Sequence, residues 1–188
     1  MNKFQFVLVE DELLLQKVYS FRHKVLHEIY PDYLKESGLI EGVEFDKYDQ
    51  YAIHFAALDQ NGELCATVRL IHHSPIGYPT ENSLEFNKDQ FKRSHLGELS
   101  RIFIDKRYRN LKDTKIIIDG LKKILYYKMK ELDIHYTYGS LEKSFLRLLR
   151  IYKMDYQTLG EPQVHGLFGT RYPSILKTDI LAKDNGYE

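Results

Sequence analysis

Apolar and polar positions follow two different periods along the chain, and the changes between them mark out the elements. Phe4–Val9 alternates loosely, as a short strand does. From Asp11 the period lengthens: Leu14, Val18, Phe21, Val25 and Ile29 fall on one helical face. The pattern predicts a helix over 11–30, with Asp11-Glu12 supplying an N-cap and first-turn negative charge. Arg22 lies at the flank of the stripe, where a guanidinium reaches inward or snorkels to water. Residues 31–51 break both periods with Pro31, Gly38 and Gly42, then run Glu44-Phe45-Asp46-Lys47-Tyr48-Asp49. A purely solvated loop has no use for Phe45 and Tyr48, so part of this stretch is expected to pack over something. Tyr51–Leu58 and Leu64–His72 read as strands joined by Asp59-Gln60-Asn61-Gly62, a hairpin signal because Asn-Gly tolerates positive φ. Arg69 sits in mid-strand, a costly burial without a carboxylate partner.

Residues 73–96 are irregular and polar, with Pro75, Gly77 and Pro79, and a short helix is expected near 87–93. Leu99–Ile104 is then a mostly apolar strand. It opens on Glu98, carries Arg101 inside, and runs into the basic segment 106–109. A helix is predicted over 113–132 from Ile117, Leu121, Ile124 and Leu132, a strand over Tyr136–Leu141, and a helix over 142–153 from Phe145, Leu148, Leu149 and Tyr152. Asp155–Leu159 reads as a sixth strand, and 174–182 as a short helical segment. Hairpin strands followed by alternating β and α units imply an α/β (α+β) fold: a mixed central sheet with helices on both faces, in a single domain over 1–188.

Composition narrows the function classes. Lys plus Arg and Asp plus Glu both number 27, so the formal net charge is zero and bulk nucleic-acid binding is not expected. The one cysteine, Cys65, rules out an internal disulfide and reads as an inert core thiol. The N-terminus turns acidic too soon for a signal peptide, and no apolar run has the length of a membrane span, so a cytoplasmic protein is expected. The eight histidines show no ligand spacing; His23 and His27 are i, i+4 with no third ligand, and no metal is expected.

Arg22, Asp46, Asp49, Arg69, Glu98 and Arg101 are three acids and three arginines. If they meet, each buried charge gains a partner, and Arg–carboxylate forks would hold the loop 43–51 over the sheet. Such a network either shapes a pocket or only fastens the loop.

The order of elements resembles the acyl-CoA N-acyltransferase (GNAT) fold, and within it the branch of acyl-homoserine-lactone synthases and N-acyl amino acid synthases. The marks are Phe21-Arg22, Glu44-x-Asp46-x-x-Asp49, Val68-Arg69-Leu70, Pro79-x-Glu81, Glu98-Leu99-Ser100-Arg101 and Gly166…Arg171-x-Pro173. The resemblance implies transfer of a fatty acyl group from acyl-carrier protein, through its phosphopantetheine, or from acyl-CoA, to the amine of an amino acid or similar small acceptor. No resident cofactor is implied. Glu98 would take the amine proton, with Ser100 and Arg101 beside it. Arg22, Asp46, Asp49 and Arg69 would form the acceptor-side network. Main-chain N–H groups of Ile102, Phe103 and Ile104 would meet the thioester arm, where the fourth strand splays from the fifth, and Arg109 and Lys112 would assist the donor. Tyr152 resembles the tyrosine that protonates the leaving thiolate. For Glu98 and Arg101 to line one pocket, a bulge near Leu99–Ser100 is needed.

Two departures matter. Residues 109–114 hold no glycine, so the diphosphate cradle of CoA is missing; Lys106, Arg107, Arg109, Lys112 and Lys115 instead make a basic patch suited to an acidic carrier protein. Leu26 stands where lactone synthases have an aromatic residue, and the chain has no tryptophan, which favours the N-acyl amino acid synthase reading. The alternatives kept open are a lactone (autoinducer) synthase using S-adenosylmethionine and a non-catalytic module binding acyl chains or carrier protein. No membrane span is expected, with product release at a membrane surface left open.

Overall fold

A computed structural model of the protein describes residues 3–32 and 42–187; Gly38 of the predicted loop lies outside the described residues. The chain gathers into two compact units, Met1–Arg69 with Arg101–Ile124 and Leu70–Ser100 with Leu125–Glu188. No described helix is long and apolar enough to cross a membrane.

In the first unit, β1 (Gln5–Leu8) pairs antiparallel with β2 (Ala52–Leu58), Gln5 opposite Leu58 and Leu8 opposite Phe55. Helix α1 (Glu12–Ile29) starts where predicted, because the Asp11 side chain accepts from the Leu14 amide at 2.8 Å. Its face Val18, Phe21 and Val25 packs with Ala56 and Leu64, and Phe103 adds to this core. Ile29, the last member of the predicted stripe, is exposed, whereas Arg22 at its flank is fully buried. The hairpin to β3 (Leu64–His72) turns at Gly62, φ 78°, and Asp59 Oδ1 accepts from the Asn61 and Glu63 amides; Asn61 itself keeps negative φ. The burial of Cys65 pushes its thiol up to about 11, which fits an inert core residue. Strand β4 (Leu96–Ile104) enters this unit at Arg101, and α3 (Leu111–Glu131) begins in it. Gly120 of α3 has the Phe6 ring where a Cβ would lie, 2.2 Å away, so this crossing needs glycine.

The second unit holds the first half of β4, with β5 (Tyr136–Leu141) and β8 (Thr170–Lys177). The short strands β6 (Gln157–Thr158) and β7 (Gln163–Val164) both pair with β8. Helices α2 (Pro79–Ser83), α4 (Lys143–Ile151) and α5 (Thr178–Asn185) complete it. Strand order is β1-β2-β3-β4-β5-β8-β6, with β3 and β4 running from one unit into the other.

Three expectations are corrected here. Between β3 and β4 the α-helix is α2, opened by Pro79 at its first turn, while 87–93 has none; a 3-10 turn follows at Arg93–His95. The sixth strand shrinks from Asp155–Leu159 to two residues. The segment 174–182, expected to be helical, is strand β8 up to Lys177 and helix only from Thr178, and β8 pairs with β5 antiparallel from Tyr136↔Lys177 to Leu141↔Tyr172. Pro173 lies within that strand, opposite Ser140, and its carbonyl accepts from the Leu159 amide at 2.7 Å. A proline that lacks the N–H of a ladder but still accepts is tolerated here; from sequence it reads as a strand breaker.

The parallel ladder between β4 and β5 joins Leu96↔Tyr136, Gly97↔Thr137 and Glu98↔Tyr138 and ends there among the described residues. A Cβ on Gly97 would stand 2.8 Å from the Ile71 carbonyl oxygen, so β3 approaches β4 closely just before Glu98.

Candidate active site

Helix α1, the loop 42–49, β3 and β4 each send a charge to one cluster in the first unit. Arg22 Nε donates to Glu44 Oε2 at 2.5 Å, and its two terminal nitrogens donate to the two oxygens of Asp49 at 2.6 and 3.1 Å. Arg69 Nη1 donates to Asp46 at 2.7 Å and lies 3.0 Å from Asp49. Arg101 holds Glu44 through Nη2 at 2.7 Å and touches Asp46 at 3.2 Å. The Asp46 amide donates to Asp49 at 2.6 Å, which tightens the loop. Glu44, Asp46 and Asp49 are each joined to these arginines, and Glu44 enters the cluster although the sequence offers it only within Glu44-x-Asp46-x-x-Asp49. A one-residue-in-two spacing puts Glu44 and Asp46 on the same side of an extended loop, and this was the available signal.

The cluster is graded. Arg22, Glu44 and Arg69 are fully buried, whereas the side chains of Arg101 and Asp46 are 18% and 24% exposed. Burial alone would raise Glu44, but the charges of Arg101 and Arg22 and the bonds they donate take it down to about 2. Burial also works against Asp49, and the Arg22 fork with the Arg69 charge outweighs it, leaving its carboxyl well below the usual range. His54 lies 3.4 Å from Asp49 without hydrogen-bond geometry, edge-on to Tyr19. Burial depresses it to about 4 despite the pull of Asp49, so it is neutral at pH 7.

Arg101 has φ 53°, a left-handed residue inside a strand. This interrupts the alternation of β4 one residue beyond the stretch where the sequence called for a bulge. Ser100, half-buried, directly precedes it; Ile102, Phe103 and Ile104 follow, all half-buried.

In the second unit Glu98 is 2% exposed and its carboxylate is held by α2: Thr80 N donates to Oε2 and Thr80 Oγ1 to Oε1, both at 2.9 Å. Around it stand buried phenols. Tyr78 donates to the Leu96 carbonyl at 2.5 Å. Tyr138 packs edge-on against Tyr78, Phe86 and Phe91. The hydroxyl of Tyr138 has no hydrogen-bond partner among the described residues, and that of Tyr156 has Thr137 beside it. Burial pushes Tyr138 up to about 12 and Tyr156 up as well, with the Glu98 charge adding to both. Thr80, Tyr138 and Tyr156 were not singled out from sequence. Tyr138 is the ladder partner of Glu98, a relation that appears only once the β4–β5 register is known. Tyr152 is buried at the C-cap of α4, its amide donating to the Leu148 carbonyl.

The basic segment is largely compensated. Lys106 and Arg109 lie 3.5 and 3.9 Å from Glu28, Arg107 pairs with Asp105, and Lys115 pairs with Asp119. At the start of α3 the Asn110 side chain accepts from the Asp113 amide at 3.0 Å, and Asp113 itself places a carboxylate in the first turn.

The profile of the acetyltransferase (GNAT) domain matches residues 21–118, just over half of the chain. The chain belongs to the GNAT family. This GNAT protein is an acyltransferase, and solved structures that share its fold include enzymes of the branch that its motifs resemble. TofI, solved in a ternary complex with an inhibitor and MTA, superposes with a TM-score of 0.70 at 16% identity, covering 100% of this chain and 98% of that one. The AHL synthase LasI gives 0.69 at 17% identity, over 93% and 89%. FeeM, an N-acyl amino acid synthase from uncultured soil microbes, gives 0.66 at 11%, over 96% and 93%. At such identities the likeness is one of fold. No curated protein matches the sequence.

Proposed function

We propose that this GNAT protein moves a fatty acyl group from the phosphopantetheine of acyl-carrier protein to the amine of an amino acid or a similar small acceptor. The observation that carries the reading is Glu98: a buried carboxylate fixed by two hydrogen bonds from Thr80, with the unpartnered Tyr138 hydroxyl on its ladder partner, at the point where the β4–β5 ladder ends. A buried hydroxyl without a partner calls for a ligand or water to satisfy it. An amine nitrogen near Glu98 loses a proton to the carboxylate and attacks the thioester carbonyl. The resulting oxyanion is met by main-chain N–H groups of Ile102 to Ile104, further along β4. Collapse breaks the C–S bond and forms the amide as the nitrogen releases its second proton to water, and the thiolate takes a proton from Tyr152, which regains one from water. Ser100 and Arg101 shape β4 beside the reacting atoms, and the raised phenols Tyr138 and Tyr156 stay neutral and act as hydrogen-bond donors.

Carrier protein is favoured over CoA as donor because the Asn110 side chain already caps an amide of the first turn of α3, Asp113 places a negative charge there, and residues 109–114 offer no glycine cradle for a diphosphate. Arg109 and Lys112 then meet the acidic partner. The half-exposed end of the ionic cluster, Asp46 and Arg101, faces the polar part of the acceptor, while Arg22, Asp49 and Arg69 hold it in place.

A second reading, a lactone synthase using S-adenosylmethionine, draws on fold likeness to TofI and LasI at least equal to that with FeeM. Mass spectrometry of extracts from reactions of long-chain acyl-carrier protein with pooled amino acids, or separately with S-adenosylmethionine, distinguishes them. An acyl–amino acid mass supports the proposal and a lactone the second reading. Neither product, with the carrier protein still bound, points to a binding module.

A further inference from the structure

The strand register that ends at Glu98 begins by bringing together two histidines. His95 and His135 each stand one residue before the first ladder pair, Leu96↔Tyr136, and the His135 amide donates to the His95 carbonyl at 2.8 Å. Paired residues of parallel strands point to the same face, so the imidazoles stack with centroids 4.4 Å apart and planes 7° from parallel. Asp133, two residues past the end of α3, closes the group: His95 Nδ1 lies 3.0 Å from one carboxylate oxygen, and His135 Nε2 lies 2.9 Å from the other. Asp133 takes φ 56°, in the turn where a helix usually ends on glycine.

We propose that His95, Asp133 and His135 form a binding site for a borderline divalent transition-metal ion such as Ni2+ or Zn2+. One ligand atom from each residue lies within 4.8 Å of the other two, the separation that a shared ion requires. Ligands about 2.1 Å from a metal and at right angles to each other stand about 3.0 Å apart, which matches both nitrogen–oxygen distances and suits a five- or six-coordinate ion. Two imidazoles and one carboxylate are the donor set that such ions prefer over Mg2+ and Ca2+, which take oxygen. The donors are accessible, the Asp133 and His135 side chains being 69% and 54% exposed. Asp133 and His135 also line a cavity of about 390 Å³ with Tyr126, Lys130, Tyr136 and Lys177. Remaining coordination positions open to water, and the two lysines would attract an anionic co-ligand. Spacing along the chain, 95, 133 and 135, does not show the site because strand register assembles it.

The test is titration of tag-free protein with NiCl2 and ZnCl2 by calorimetry, with MgCl2 as control, and thermal melts with and without metal. One ion per chain in the micromolar range, no response to Mg2+, and a metal-dependent rise in Tm are expected. His95→Gln and His135→Gln should each weaken binding by about tenfold or more while keeping the apo Tm within a few degrees, since His135 is exposed and His95 is only partly buried. Absence of stoichiometric binding to the wild type overturns the proposal, as does unchanged affinity in the His95→Gln/His135→Gln double variant.

Discussion

Arg22 grips Asp49 through two parallel hydrogen bonds, 2.6 and 3.1 Å, while its Nε turns to Glu44. All three side chains are buried, so this one guanidinium is shared by two carboxylates that water cannot reach, with Arg101 and Arg69 completing the charge balance. Arg22→Ala is expected to cost about 3–5 kcal/mol, because it leaves buried charge without compensation. Arg22→Lys keeps the charge but loses the fork and should fall between. Urea unfolding measures both; a loss under about 1 kcal/mol for Arg22→Ala would mean that Arg69 and Arg101 carry the acids alone.

Stability should fall in acid in two steps. His54 is depressed from 6.5 to about 4, so the unfolded chain binds its proton first, and stability is lost as the pH falls from 6.5 towards 4. Glu44, depressed from 4.5 to about 2, stabilises fully above pH 4.5, and that contribution of about 3 kcal/mol is lost as the pH falls towards 2. Asp49 adds in the same direction. His54→Asn should flatten the upper step alone, which unfolding curves at pH 7, 5 and 4 will show.

The open end of the cluster should behave differently from its buried end. Asp46→Asn, at the half-exposed side, is expected to raise the acceptor KM several-fold with little loss of stability. Asp49→Asn should unfold the protein more readily instead. Equal acceptor KM values in Asp46→Asn and wild type would assign the cluster to fastening the loop only.

Thr80 is a positioning residue for Glu98. Thr80→Val removes the Oγ1 bond and keeps the amide bond, so kcat should drop about tenfold with acceptor KM little changed, and Thr80→Ser should restore it. A Thr80→Val enzyme with only reduced Tm would make the contact structural.

Much of this was legible in the chain. Helix α1 and its Asp11 cap, the hairpin at Gly62, and β4, β5 and α4 follow from periodicity, because local propensity and burial agree there. The five members of the ionic cluster singled out from sequence lie in the motifs that carry the family resemblance, and an arginine inside an apolar run, such as Arg69, also calls for an acid on physical grounds. Glu44 joins the cluster without having been singled out for it, because the partner of a loop acid is decided by tertiary placement. β8 was hidden by Pro173, whose missing N–H argues against a strand unless its neighbours are known. Thr80, Tyr138 and the His95–His135 pair depend on strand register and on the position of α2, neither of which a local pattern encodes.

The central claim is that Glu98 takes the amine proton. Single-turnover acyl transfer from a long-chain acyl-carrier protein tests it most directly, comparing wild type with Glu98→Gln, which is near in shape and able to keep the bond from the Thr80 amide. The account predicts a folded variant with an unchanged Tm to within a few degrees and a rate lower by about 10²–10⁴-fold. A Glu98→Gln rate equal to wild type would contradict it.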